Sequence, residues 1–314
     1  MDEKPLIALP IVLGPTGSGK SELGLLIAEH LGGEIVNCDS VQIYRRFQIG
    51  TAKVPEAERR GIPHHLIDLV EPWELFTAGD YARAARAVLD EITGRGRIPV
   101  VVGGTGFYLR ALLEGLSPGP ARHDALRARL QRRERNRTGS LHRILTRLDP
   151  AAAARIHRND LNKTLRALEV RLLEGRPISD LFTHGRTPLG GFRPIKIGLS
   201  PDRELLYRKL DMRAAAMFQR GLVGEVRDLL AAGVPADAKP FESLGYQQAL
   251  QAVRGSITEE QAIASTQLET RRCAKRQLTW FRKEPDVHWF EGFGDDPKVI
   301  EQVLACIKTA TKKF

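Results

Sequence analysis

At 314 residues, with 42% hydrophobic and 27% charged side chains, the chain has the composition of a soluble globular protein and the length for one large or two modest domains. No apolar run approaches the roughly 20 residues of a membrane span, and Met1-Asp2-Glu3-Lys4-Pro5 lacks the layout of a signal peptide, so a cytoplasmic protein with no membrane partner is expected. Net charge is +10, and between Pro120 and Arg186 there are 16 Lys/Arg against 7 Asp/Glu, which leaves the rest of the chain close to neutral at +1. A polyanion partner for that block and a merely solvated basic face are both compatible with the charge. The three cysteines, Cys38, Cys273 and Cys306, are far apart and in no metal-ligand spacing, as expected of free thiols in a reducing compartment.

In chain order, Pro10-Ile11-Val12-Leu13 reads as a buried strand, and Gly14-Pro15-Thr16-Gly17-Ser18-Gly19-Lys20-Ser21 fits the phosphate-loop pattern. Ser21 to Leu31 then repeats apolar residues at helical spacing through Leu23, Leu26, Ile27 and Leu31, with Gly32-Gly33 as a stop. In such a strand–loop–helix, backbone N–H groups and the positive helix end converge on one oxyanion cluster, so something polyphosphorylated is expected. Lys20 adds a point charge, and the Ser21 hydroxyl is placed to hold Mg²⁺. Glu34 to Cys38 reads as the second strand, ending at Asp39-Ser40, and a helix follows from about Gly79 to Thr93. Pro99 to Val102 is a further buried strand, closed by Gly103-Gly104-Thr105-Gly106. Ligands of open parallel sheets bind beyond the carboxyl ends of the strands, which would bring Asp39, Ser40 and Thr105 beside the loop. Taken alone, Asp39 reads equally as a turn cap and Thr105 as a turn residue.

Ser117-Pro118-Gly119-Pro120 is the clearest boundary. Beyond it, helical spacing with interleaved arginine persists until a strand at Ile195 to Leu199, which reads as a return to the parallel sheet. The expected organisation is therefore an α/β phosphate-loop NTPase-like parallel sheet flanked by helices, its first part at 1–118 and its second at 191–314, interrupted by an all-helical basic insertion at 119–190. Asp202 to Gly221 reads as an amphipathic helix with Arg213 beside three alanines, Glu225 to Leu230 as helical, and Phe241 to Tyr246 as a polar loop. The helix from Thr258 to Arg282 carries Arg271, Arg272, Lys275 and Arg276 as one basic ridge, and Trp280 and Phe281 add flat rings suited to RNA bases. Val287 to Phe290 reads as a last strand and Val299 to Ile307 as a last helix. His64-His65 has no third ligand at useful spacing and reads as a structural pair at a turn.

Six separated stretches together resemble one family, the bacterial tRNA dimethylallyltransferases. Beyond the phosphate loop they are Asp39-Ser40-Val41-Gln42-Ile43-Tyr44 with Ile49-Gly50-Thr51-Ala52-Lys53; Pro63 to Asp68; Gly103 to Arg110; Asp149-Pro150 through Arg166-Ala167-Leu168-Glu169; and Leu244-Gly245-Tyr246 with Ala274 to Arg282. The resemblance runs from about Val12 to Phe290. It implies transfer of a dimethylallyl group from dimethylallyl diphosphate to N6 of adenosine-37 in the tRNA anticodon loop, by an enzyme that uses Mg²⁺ at Ser21; a monomer is expected. It implies Asp39 as general base, Thr105 beside the bridging oxygen of the diphosphate, Arg213 on that diphosphate, and Gly14 with Thr16, Gly17, Ser18, Gly19, Lys20 and Ser21 as its cradle. For tRNA it points to Asp39, Ser40, Val41, Gln42, Thr105, Arg127, Lys163, Thr164, Leu165, Arg166, Ala167, Leu244, Gly245, Tyr246 and Gln247, with Arg271, Lys275 and Arg276 of the basic ridge. At Lys163 the family usually shows arginine; lysine keeps a phosphate contact and loses bidentate recognition.

Two other enzyme classes share the phosphate loop. A small-molecule kinase would want an acidic strand end, and the strand at 100–102 closes in Gly103-Gly104-Thr105 instead. An adenylate dimethylallyltransferase acts on a free nucleotide and has no use for a basic insertion. A non-catalytic RNA-binding module would leave the phosphate loop, Asp39 and Thr105 unexplained.

Overall fold

The computed structural model describes residues 6–181 and 185–311. They form two compact units, one running to Leu113 and resuming at Leu189, the other spanning Glu114–Pro188.

The first unit is built on six strands: β1 (Ile7–Leu13), β2 (Glu34–Asn37), β3 (His64–His65), β4 (Pro99–Val102), β5 (Phe192–Leu199) and β6 (Val287–Phe290). Every pairing is parallel, in the order β3-β2-β4-β1-β5-β6, and β1 pairs with β5 from Ile7↔Phe192 to Leu13↔Gly198. Both faces of the central strands are covered, which is why they read as continuous apolar runs. Along β1 the side chains alternate. Leu9, Ile11 and Leu13 face a core with α2 (Ala78–Gly94) and α3 (Gly106–Glu114), while Val12 faces one with α1 (Lys20–Leu31) and the C-terminal helix Pro297–Thr311.

The second unit holds α4 (Asp124–Asn136), α5 (Ser140–Leu148), α6 (Pro150–Arg155), α7 (Leu161–Glu174) and α8 (Ile178–Leu181). Its core is Leu130, Leu141, Leu145, Ala152, Ala153, Leu165, Ala167 and Leu168. The first unit then resumes with α9 (Arg203–Gln219), α10 (Leu222–Ala231), α11 (Tyr246–Val253), α12 (Glu259–Phe281) and α13 (Pro297–Thr311). Ends of α9 to α12 close a third core around Ile43, Tyr44 and Phe47. No helix of the described residues is long and apolar enough to cross a membrane.

Three expectations need correction. β1 begins at Ile7, because Pro10, read as a strand start, lies inside the strand. His64-His65 is not a turn but the edge strand β3, where Ile35 and Val36 pair with the two histidines and His65 Nε2 lies 2.6 Å from Glu34 Oε2. Phe281 is 1% exposed in the first core, so it offers no ring to a partner.

Candidate active site

The loops after β1, β2 and β4 leave the same end of the sheet and meet around a cavity of about 860 Å³. Thr16, Gly17, Gly19, Lys20, Ser21, Asp39, Ser40, Thr105 and Arg213 all line it, as expected of strand ends in a parallel sheet. The phosphate loop closes tightly because glycine permits it. At Gly17 φ is +78°, and a Cβ there would lie 2.6 Å from Leu210 Cδ2 of α9.

Inside the loop Ser18 is fully buried, and its Oγ has no hydrogen-bond partner among the described residues. A buried hydroxyl without a partner is costly, and this one is enclosed inside the loop, 2.9 Å from where a Cβ on Gly14 would stand. Lys20 folds its ammonium back onto the carbonyl of Pro15 at 2.6 Å. Burial brings its pKa down to about 8, with Asp39 pulling it up and Arg213 pushing it down. Burial likewise lowers the pKa of Arg213, against the pull of Asp39. Two desolvated cations that repel each other, with Asp39 as the carboxylate acting on both, make a site poised for a polyanion.

Asp39 both caps a turn and lines the cavity. Its Oδ1 accepts from the N–H groups of Val41 at 2.8 Å and Gln42 at 3.3 Å, which is a cap. Oδ2 has no protein partner among the described residues and belongs to a residue lining the cavity. Thr105 stitches the β4 and β2 loops: its Oγ1 accepts from Ser40 N at 3.1 Å and lies 3.4 Å from Ser40 Oγ, and its N–H donates to Cys38 O at 3.2 Å.

Gln277 is a site residue that the sequence reading passes over. Its Oε1 accepts from Thr16 N at 2.7 Å and its Nε2 donates to Gly104 O at 3.0 Å, so one amide ties the phosphate loop to the β4 loop. Thr266, Thr270, Cys273 and Gln277 all line the cavity. Their spacing of four, three and four is the signal that could have found them, a small polar stripe opposite the basic ridge.

The proposed tRNA residues divide. Val41, Gln42, Leu244, Gln247 and Arg276 line the cavity. Gly245 is buried and Tyr246 is fully so, its hydroxyl donating to Glu225 Oε2 at 2.9 Å and accepting from Gly50 N at 3.1 Å. Tyr246 is thereby a support of the 48–51 loop, whose Gln48 and Ile49 N–H groups also bond Glu225, while Gly245 N–H donates to Gln248 Oε1. Lys275 is exposed, whereas Arg271 is paired with Asp211 at 2.7 Å.

In the helical unit, Thr164, Leu165 and Ala167 are 2%, 1% and 0% exposed and are corrected to core residues, because three of four successive helix positions cannot all face outward. Arg127 makes a two-pronged pair with Glu169, and Arg166 adds a third bond to that carboxylate, so Arg127 has a structural partner within the unit. Burial works against ionisation of Glu169, yet bonds from Arg127, His123 N–H and Arg166 win and bring it down to about 2. Lys163 stays exposed beside Asp160. The reading overlooks Arg129, Arg132 and Arg133 of α4, exposed and without an acidic partner among the described residues.

Comparison with known proteins accords with this geometry. The family described as IPP transferase matches residues 42–284. A protein named tRNA dimethylallyltransferase from Solibacter usitatus is 60% identical over 96% of this chain and 97% of its own length. Another of that name from Koribacter versatilis is 53% identical over 96% of this chain and 98% of its own. The crystal structure of a tRNA isopentenylpyrophosphate transferase from Bacillus halodurans superposes with a TM-score of 0.71 at 33% identity, covering 98% of this chain and 99% of that one. With the family model matched over residues 42–284 and relatives at 60% and 53% identity over nearly the whole length, the chain belongs to the IPP transferase family.

Proposed function

We propose that the chain transfers the dimethylallyl group of dimethylallyl diphosphate to N6 of adenosine-37 in tRNA and releases diphosphate. The observation that carries this reading is one cavity lined by two desolvated cations, Lys20 and Arg213, and by Asp39, one of whose carboxylate oxygens has no protein partner among the described residues. The cations bind the diphosphate, and the carboxylate serves the acceptor. As the C1–O bond of the allylic diphosphate breaks, negative charge grows on the leaving group, and Lys20, Arg213 and the loop N–H groups stabilise it in a closed site. The N6 lone pair forms the new C1–N bond, and Asp39 Oδ2 takes the N6 proton.

Adenine inside a stacked loop cannot reach C1, so the base flips into the cavity past Ser40 to Gln42. Arg129, Arg132 and Arg133, with Lys163, give the helical unit a polyanion-binding surface. Mg²⁺ fits the loop chemically. Ser21 lines the cavity with a hard oxygen donor, and no cluster of three His, Cys, Asp or Glu exists among the described residues to hold a cation by protein alone, a pattern that suits an ion shared with substrate phosphates. When bound, it would neutralise charge on the leaving diphosphate.

The test is incubation with labelled dimethylallyl diphosphate and either tRNA or AMP. Label should enter tRNA alone; label in AMP alone would move the reading to an adenylate dimethylallyltransferase.

A further inference from the structure

The segment between β6 and α13 lies beyond the residues matched by the family, yet it touches the phosphate loop directly. Phe293 packs against Leu206 and Leu210 of α9 and Ala274 of α12. The next residue, Gly294, donates its N–H to the carbonyl of Ser18 at 2.8 Å. Here backbone meets backbone: a Cβ on Gly294 would lie 2.4 Å from Gly19 O, and one on Gly19 would lie 2.7 Å from Gly294 N. Asp295 then holds Lys209 Nζ at 3.0 Å, and that ammonium also sits 4.5 Å from the Phe293 ring centroid. Lys209 lines the same cavity as Lys20 and Arg213. It stands one helical turn before Arg213, and its neighbour Leu210 is the side chain packed on Gly17.

We propose that Lys209 is a further cation of the leaving-group site, held on Asp295 in the free protein and handed to the diphosphate when it binds, with residues 292–296 as the device that positions both Lys209 and the phosphate loop. The inference rests on the prenyl-transfer reading above. The Lys209–Asp295 pair is 40% and 51% exposed, and ion pairs so placed contribute little, so releasing one costs little. A diphosphate offers the ammonium several negative charges in place of one. Lysine suits the role, being a point charge on a flexible stem that can follow a group as it leaves. Asp295 also keeps Lys209 from adding a further unpaired cation to the free cavity.

The experiment is calorimetric titration of the full chain with inorganic diphosphate in the presence of Mg²⁺, for wild type, K20A, K209Q, K209R and D295N. K209Q should weaken binding about tenfold, the loss of one charge-assisted contact. K209R should stay within about threefold of wild type, and D295N should bind as tightly or slightly tighter. In steady state K209Q should raise KM for dimethylallyl diphosphate and leave KM for tRNA unchanged. Wild-type affinity in K209Q, or a loss in D295N as large as in K209Q, overturns the proposal and makes the pair a structural strut. Equal diphosphate binding by wild type and K20A would instead overturn the leaving-group reading itself.

Discussion

Asp39 caps a turn with one oxygen and is proposed as the base on the other, and this decides how it must be tested. Asp39→Ala removes the cap on Val41 and Gln42 together with the base, and caps of this kind contribute about 1 kcal/mol. Asp39→Asn keeps the capping oxygen and loses only the proton acceptor. We predict that Asp39→Asn melts within a degree or two of wild type while prenyl transfer falls at least about 100-fold; near-normal turnover would remove Asp39 from the role of base.

Lys20 gives a prediction with a sign. Its folded pKa of about 8 lies below the ordinary 10.5 because burial disfavours the ammonium. Diphosphate needs that ammonium, so affinity should be flat below about pH 8 with respect to this group and fall up to about tenfold per unit above it. Stability should move the opposite way. Between pH 8 and 10.5 the unfolded chain binds the proton more tightly, so this group's contribution rises with pH. Calorimetric affinity and denaturant midpoints, each measured across pH 7–10, check the two trends, and Lys20→Met should abolish both.

At the scale of elements, the site is held by helices that contribute little chemistry of their own. α12 reaches the phosphate loop through one amide, Gln277, while α10 and α11 hold the 48–51 loop through Glu225 and Tyr246. Tyr246→Phe should cost about 1–3 kcal/mol, since it leaves the half-buried Gly50 N–H without its acceptor and takes one of three donors from Glu225. A thermal melt reads that cost, and transfer activity should fall with it as the loop loosens.

In the helical unit α4 and α7 are joined through fully buried Glu169. With a folded pKa near 2 against an ordinary 4.5, its contribution is complete above about pH 4.5 and is lost as pH falls towards 2. Glu169→Gln leaves Arg127 without its counter-charge and should cost about 3–5 kcal/mol. Circular dichroism on acid titration should show the variant losing helix at a higher pH than wild type. Arginine at 127 and 166 looks in the sequence like RNA chemistry, since a periodic pattern does not reveal that an acid at 169 will be enclosed between them.

For the whole molecule, the helical unit leaves and re-enters the first unit at one point, because Leu189 N–H donates to Leu113 O at 2.8 Å. Residues 114–188 can therefore be replaced by a short Gly-Ser turn without pulling the sheet apart. The shortened protein should bind diphosphate within about threefold of wild type and lose tRNA binding in a salt-dependent gel shift. Unchanged tRNA affinity would move the RNA-binding surface off the helical unit.

The local features were legible in the sequence because they are set by neighbours along the chain. β1 into the phosphate loop, the glycines that loop requires, the basic insertion and the buried strands β4 and β5 all follow from spacing and composition. What only the tertiary structure decided are the contacts between segments far apart in number. Gln277 bonds Thr16 across 261 positions and Glu225 bonds Gln48 across 177; Gly294 seats on Ser18 and Asp295 on Lys209. Such contacts depend on which helix faces meet once the cores close, and helical periodicity names a face without naming its partner. Thr164, Leu165, Ala167 and Tyr246, named for tRNA by the family resemblance, are core in the structure.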